Sequence, residues 1–217
     1  MGTWKRLRRV LLLPFRFPAL LLLSAGYSGL LYAANLQAGF LDVRNPYWVL
    51  NIGGLLLLSP VYHAVLLPAI VAALQGGIRS DWRAVLSDAQ GLFPRLFLGE
   101  LVVGAAVVAG GVVLLIPGIY IGMRLIYYKQ FIVFERRSAI PALRESLRMT
   151  GDGRSTIALF FHLAVVYGCA FGFDSLLVLR APSLVVHAGA VVGTTLLLAW
   201  MNVFVTSSYI DRRSVEA

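Results

Sequence analysis

Apolar runs of about the length of a membrane crossing recur along the whole chain, parted by short segments rich in arginine. Phe17–Gln37, Trp48–Leu74, Leu96–Ile116, Gly118–Phe134, Ser155–Leu179 and Leu184–Ile210 each come close to the roughly 20 apolar residues that carry a helix through about 30 Å of hydrocarbon. The third and fourth run almost together. A single straight helix over Leu96–Phe134 would be about 58 Å long, nearly twice what a bilayer needs. Pro117 disfavours helix at the residue before it and Gly118 accepts a turn, so a tight hairpin is expected at Pro117–Gly118. A pair of half-spans meeting at mid-membrane would serve the same threading. The expected architecture is all-α, with six transmembrane helices in a single membrane domain over residues 1–217.

Between the runs the pattern changes period. "SDWRAVLSDAQGLFPR" puts Trp82, Val85, Leu86, Ala89 and Phe93 on one helical face after Ser80. "SAIPALRESLRMTGDGR" gathers Ile140, Leu143 and Leu147, with Arg144, Glu145 and Arg148 on the other side. Both read as amphipathic helices lying on the cytoplasmic surface. Residues 1–16 hold Lys5, Arg6, Arg8, Arg9 and Arg16 beside Trp4, Leu7 and Leu11, the pattern of a basic interfacial segment. A cleaved leader ending near "LLYAAN" is the competing reading, and it leaves the later threading unchanged.

Composition sharpens the class. The chain is 59% hydrophobic and 13% charged, against about 45–50% and 25% in soluble domains. Too little polar surface remains to cover a soluble particle, so the chain reads as an integral membrane protein. The net charge of +9 then reflects cytoplasmic loops and an anionic inner leaflet rather than nucleic acid. With both termini inside, the basic clusters at Lys5–Arg16, Arg79–Arg95, Arg136–Arg154 and Arg212–Arg213 all fall inside, and the outer loops keep Arg44 and Arg180. Counting Leu96–Phe134 as one crossing would destroy that asymmetry. The location expected is the bacterial inner membrane.

Candidate chemistry is sparse. No catalytic, cofactor-binding or metal constellation is found: Cys169 stands alone, and His63, His162 and His187 fall at different depths. Charges inside the spans are costly, about 2.5–3.5 kcal/mol at mid-helix, and so demand partners. Arg124 and Asp174 are expected to pair in the outer half, where Gly118/Gly122, Gly168/Gly172 and Gly189/Gly193 would allow close packing. Lys129 and Glu100 form a second expected contact in the inner half. Pro60 and Pro68, with Gly53 and Gly54, mark a place where the second span could break.

From Pro117–Gly118 the order of features continues through an apolar span to Glu135, then Ala142-Leu143, Ser146-Leu147, Thr150-Gly151 and Arg154. This order resembles a family of bacterial polytopic membrane proteins that includes the membrane domain of some glycerophosphoryl diester phosphodiesterases. Arg136-Arg137 stands where that family carries a glycine-containing turn. The resemblance implies a six-span inner-membrane domain of unestablished molecular activity, without the phosphodiesterase chemistry, which belongs to a separate soluble domain. Glu135 is expected to face Arg144 or Arg148 and dock the surface helix. The functional expectation is a non-enzymatic accessory or scaffold module. A small-molecule or lipid transporter using the intramembrane charges is the alternative, and a membrane-embedded enzyme comes third.

Overall fold

The structure is a computed structural model that describes residues 11–38, 47–75, 82–113, 115–151 and 184–216. Every regular element among the described residues is a helix. Residues 11–16 are helical and lead, through Phe17, into α1 (Pro18–Ala38). There follow α2 (Tyr47–Leu74), α3 (Trp82–Val113), α4 (Leu115–Arg124), α5 (Tyr128–Phe134), α6 (Ala139–Met149) and α7 (Leu184–Glu216). Three stretches are long and apolar enough to cross a membrane: Leu56–Leu74, Arg83–Gly110 and Val191–Ser214. The chain is therefore an all-helical protein of membrane type.

The chain divides into two compact units, 1–62 with 162–204 and 63–161 with 205–217. In the first, buried hydroxyls join helices. Ser24 Oγ lies 3.0 Å from Tyr62 Oη, Ser28 Oγ lies 2.6 Å from Thr195 Oγ1, and the Tyr27 and Tyr62 rings stack at 4.3 Å. Trp200 Nε1 donates to the Leu11 carbonyl at 3.0 Å while its ring meets Phe15. In the second unit, Leu66, Leu67, Ile70, Leu92, Leu96, Tyr127, Phe131 and Ile132 are fully buried and make the core.

Three expectations are corrected. The amphipathic segment around Trp82–Phe93 and the span from Leu96 are one helix, α3, which runs through Pro94. Proline forfeits one donor toward the preceding turn, and burial of Leu92 and Leu96 on either side holds the two halves in line. Helix α2 runs unbroken through Pro60 and Pro68, as a single span over Trp48–Leu74 requires; a helix packed on most of its surface tolerates the lost bonds.

Pro117–Gly118, where the bend was expected, lies inside α4 (Leu115–Arg124), after α3 has ended at Val113. Pro117 sits in the first turn of α4, where a missing N–H has no intrahelical partner to lose. The hairpin is tight because Gly110 faces Gly118: a Cβ on Gly110 would lie 3.0 Å from the Gly118 Cα and N.

The stretch expected as the fourth span, Gly118–Phe134, is interrupted between α4 and α5. Leu125 N–H still donates to Ile121 O, but Ile126 N–H turns to Met123 O and Tyr128 N–H to Leu125 O. That tightening to three-residue spacing leaves the Arg124 carbonyl and the Tyr127 N–H outside the helical ladder. Helix α6 supplies both partners. Ser146 Oγ donates to Arg124 O and accepts from Tyr127 N–H, each at 3.1 Å, and Thr150 Oγ1 lies 2.9 Å from the same carbonyl.

This contact also sets the face that α6 turns to the protein. That buried face is Ala139, Ala142, Leu143, Ser146 and Met149, whereas Ile140 and Leu147 are exposed. Of the expected grouping, Leu143 packs on the protein and Ile140 and Leu147 stay on the free side.

Candidate functional site

Two charged clusters stand out in the second unit. The first joins α2, α3 and α5. Lys129 Nζ lies 2.9 Å from Glu100 Oε1 and 3.2 and 3.3 Å from the two ring nitrogens of His63, whose Nδ1 is 3.7 Å from the same carboxylate oxygen. The His63 and Glu100 side chains are each 10% exposed and that of Lys129 21%. Local structure explains the meeting. The break at 125–127 re-aims α5 so that Tyr128 and Ile132 pack on Gly99, where a Cβ would come within 2.8 Å of the Tyr128 ring. That close approach lets Lys129 reach Glu100 one residue further along α3. Opposite charges held this near neutralise each other where water is scarce. Sequence reading pairs Lys129 with Glu100; it does not bring in His63, which lies far away in the chain and enters only as one of three histidines at different depths.

The second cluster centres on Glu135, just past the end of α5. Its Oε1 accepts from Tyr209 Oη at 2.6 Å and Arg213 Nε at 2.7 Å, and its Oε2 accepts from Arg137 Nε at 2.8 Å. Tyr209 packs its ring against Phe131 and Phe134, and Arg213 and Arg137 lie over the Phe131 ring. Burial works against ionisation of Glu135. Hydrogen bonds from Tyr209, Arg213 and Arg137, with the Arg213 charge, outweigh it and hold the carboxyl below its usual range. The carboxylate thereby fastens the corner after α5 to the last turns of α7.

The corner itself is set by Arg136, whose φ of 55° lies in the left-handed region. Glycine adopts that conformation freely, and an arginine does so at a cost. The Arg136 carbonyl accepts from Arg95 Nη1 at 2.6 Å, and its guanidinium meets Asp88 at 2.8 Å. Arg136 therefore occupies a glycine-type turn without a glycine.

The remaining candidates fall elsewhere. Arg124 donates to the Leu147 carbonyl at 2.9 Å and lies over the Tyr120 ring. It therefore sits beside α6. Asp174 lies outside the described residues, as do Cys169, His162, Gly168 and Gly172. Glu135 faces neither Arg144 nor Arg148. Arg148 pairs with Glu145 at 3.2 Å, Glu145 also meets Arg137 at 3.3 Å, and Arg144 is exposed. Sequence reading missed Tyr209 and Arg213 as the partners of Glu135. The available signal was a basic pair in the last turns of a helix, level with an acid that had to be neutralised.

Among the described residues no three of His, Cys, Asp and Glu gather as a metal site would require. No protein-family model, curated protein or solved structure matches the chain.

Proposed function

We propose that this chain is a multi-pass protein of the bacterial cytoplasmic membrane with both termini inside, acting as a non-enzymatic accessory or scaffold module. In this reading it has six membrane segments, the third and fourth formed by α3 and by α4 with α5. It belongs with the polytopic family that includes the phosphodiesterase membrane domain. The carrying observation is that the polar residues of the resembling stretch are engaged internally. Glu135 takes three donors from its own chain, and Ser146 and Thr150 complete the backbone at the α4–α5 break. Groups used in this way hold a fold together and are not presented to a substrate.

The test is purification from detergent under two readouts. An accessory module retains a partner at fixed stoichiometry and gives no flux in proteoliposomes. Substrate-dependent flux would overturn the reading.

A second reading, a small-molecule or lipid transporter, is favoured by one observation, the His63–Glu100–Lys129 cluster. Ionisable groups deep in apolar helices are frequent markers of ion and substrate paths. Flux abolished by Glu100→Gln in a protein of unchanged stability would select it.

A further inference from the structure

Helix α6 presents a free face with a mixed character. Ile140, Arg144, Leu147 and Arg148 share that face by helical spacing. Ile140 is 51% exposed, Leu147 41% and the Arg148 side chain 71%, and Arg144 is exposed as well. A face turned wholly to water would not carry the two large aliphatics together, and one turned wholly to acyl chains would not carry two arginines. The acidic residue of the helix, Glu145, is turned toward Arg137 and Arg148, so the face is cationic.

The C-terminal end of α6 adds to this. Its carbonyls at Leu147 and Met149 accept from Arg124 and Arg212, which brings two more guanidiniums to that end. The Arg212 contact also fixes where the helix lies. At 33 residues, α7 is about 50 Å long and exceeds a hydrocarbon core of about 30 Å. Its charged end at Asp211-Arg212-Arg213 therefore stands beyond the core, and α6, bonded to that end, lies at the headgroup boundary.

We infer that this face is a binding surface for an anionic phospholipid, with Arg144 and Arg148 on the headgroup phosphate and Ile140 and Leu147 against the upper acyl chains. Guanidinium forks match phosphate oxygens in charge and geometry. The contacts of Ser146 and Thr150 with the α4–α5 break hold the helix in place, so the face is preformed. The inference rests on the membrane placement proposed above.

The test is native mass spectrometry of the full chain, delipidated in neutral detergent and titrated with phosphatidylglycerol or phosphatidylcholine. The expected result is a preference for phosphatidylglycerol that falls about fivefold for each of Arg144→Gln and Arg148→Gln, since a basic residue at an anionic surface contributes on that order. Lysine at both positions should retain most of the preference, and Arg83→Gln, an exposed arginine on α3, should leave it unchanged. The Arg148–Glu145 pair is a surface i,i+3 contact of small energy, so the variants should fold; equal melting temperatures in phosphatidylcholine check this.

Equal binding by wild type and the double glutamine variant would overturn the inference, as would an equal loss in Arg83→Gln. Displacement of the lipid by an acidic peptide or by millimolar inorganic phosphate would reassign the face to a protein partner or a free anion. A chain that pellets with membranes yet shows no lipid preference sinks this inference alone. One that stays in the soluble fraction sinks the membrane placement.

Discussion

Replacing Glu135 with glutamine tests the corner on which the second unit depends. The side chain keeps its length, and the amide oxygen can take the place of Oε1 toward Tyr209 and Arg213. The amide NH2 then faces the Arg137 Nε–H, which donated at 2.8 Å, so a donor meets a donor. One charge-assisted bond is lost, about 1.5–3 kcal/mol, and two others weaken to neutral strength. Arg137 and Arg213 are each 35% exposed, so water screens part of the effect and the low end applies. The expected destabilisation is about 2–3 kcal/mol, or roughly 30- to 150-fold in the unfolding equilibrium.

The assay is reversible unfolding in detergent, followed by far-ultraviolet circular dichroism between pH 7 and pH 3. Because the native carboxyl is held below its usual range, its contribution is complete above the ordinary carboxylate range. It is lost as pH falls through the lowered native value. The gap between wild type and Glu135→Gln should therefore be widest near neutrality and close in acid. A gap under about 0.5 kcal/mol at pH 7, or one constant with pH, would refute the reasoning.

Three further substitutions probe the backbone features. Arg136→Gly should leave stability within about 1 kcal/mol of wild type, since relief of the left-handed strain offsets the unfolded-state entropy of glycine. Arg136→Val should cost about 2 kcal/mol or more at the same positive φ; equal melting temperatures for the two would refute the strain argument. Gly110→Ala should cost about 1–3 kcal/mol, because its Cβ would lie 3.0 Å from backbone atoms of Gly118. Gly104→Ala, with nothing within 4 Å, should be neutral or stabilising by up to about 1 kcal/mol, and chemical denaturation of both variants decides it. Ser146→Ala should cost about 1–3 kcal/mol by removing the hydroxyl that accepts from the Tyr127 N–H. Hydrogen exchange at that amide should rise; unchanged protection would count against the role given to Ser146.

What could be read from the chain and what could not divide along a physical line. The helices at Pro18–Ala38 and Tyr47–Leu74 start and stop within a residue or so of the apolar runs that announced them, because a helix apolar on every side writes itself continuously into sequence. Lys129 was legible for a related reason, as a charge inside an apolar run that needs an acid, and Glu100 stood on the neighbouring segment. The failures involve groups that cancel across distance. Pro94 looked like a boundary, yet the burial of Leu92 and Leu96 outweighs one missing bond. The inward side of α6 was hidden too: Ser146 and Thr150 are buried there, while Ile140 and Leu147 stay exposed.

The α4–α5 break explains that burial. Nothing between Gly118 and Phe134 identifies residues 125–127 as the point of interruption, and by local preference the helix could run on. Interrupting it frees one carbonyl and one N–H in an apolar setting, a cost of about 1–3 kcal/mol for each unpaired group. The break becomes tolerable only because Ser146 and Thr150 arrive on another helix to pair with both. Once the hydroxyl face of α6 is committed inward, Arg144, Arg148, Ile140 and Leu147 must share the outward side. The break, the orientation of α6 and the cationic free face are thus consequences of one set of hydrogen bonds. A variant that removes both hydroxyls, Ser146→Ala with Thr150→Val, should therefore weaken the preference for phosphatidylglycerol although neither residue touches the lipid. Full lipid preference in that double variant would separate the three features and refute their common origin.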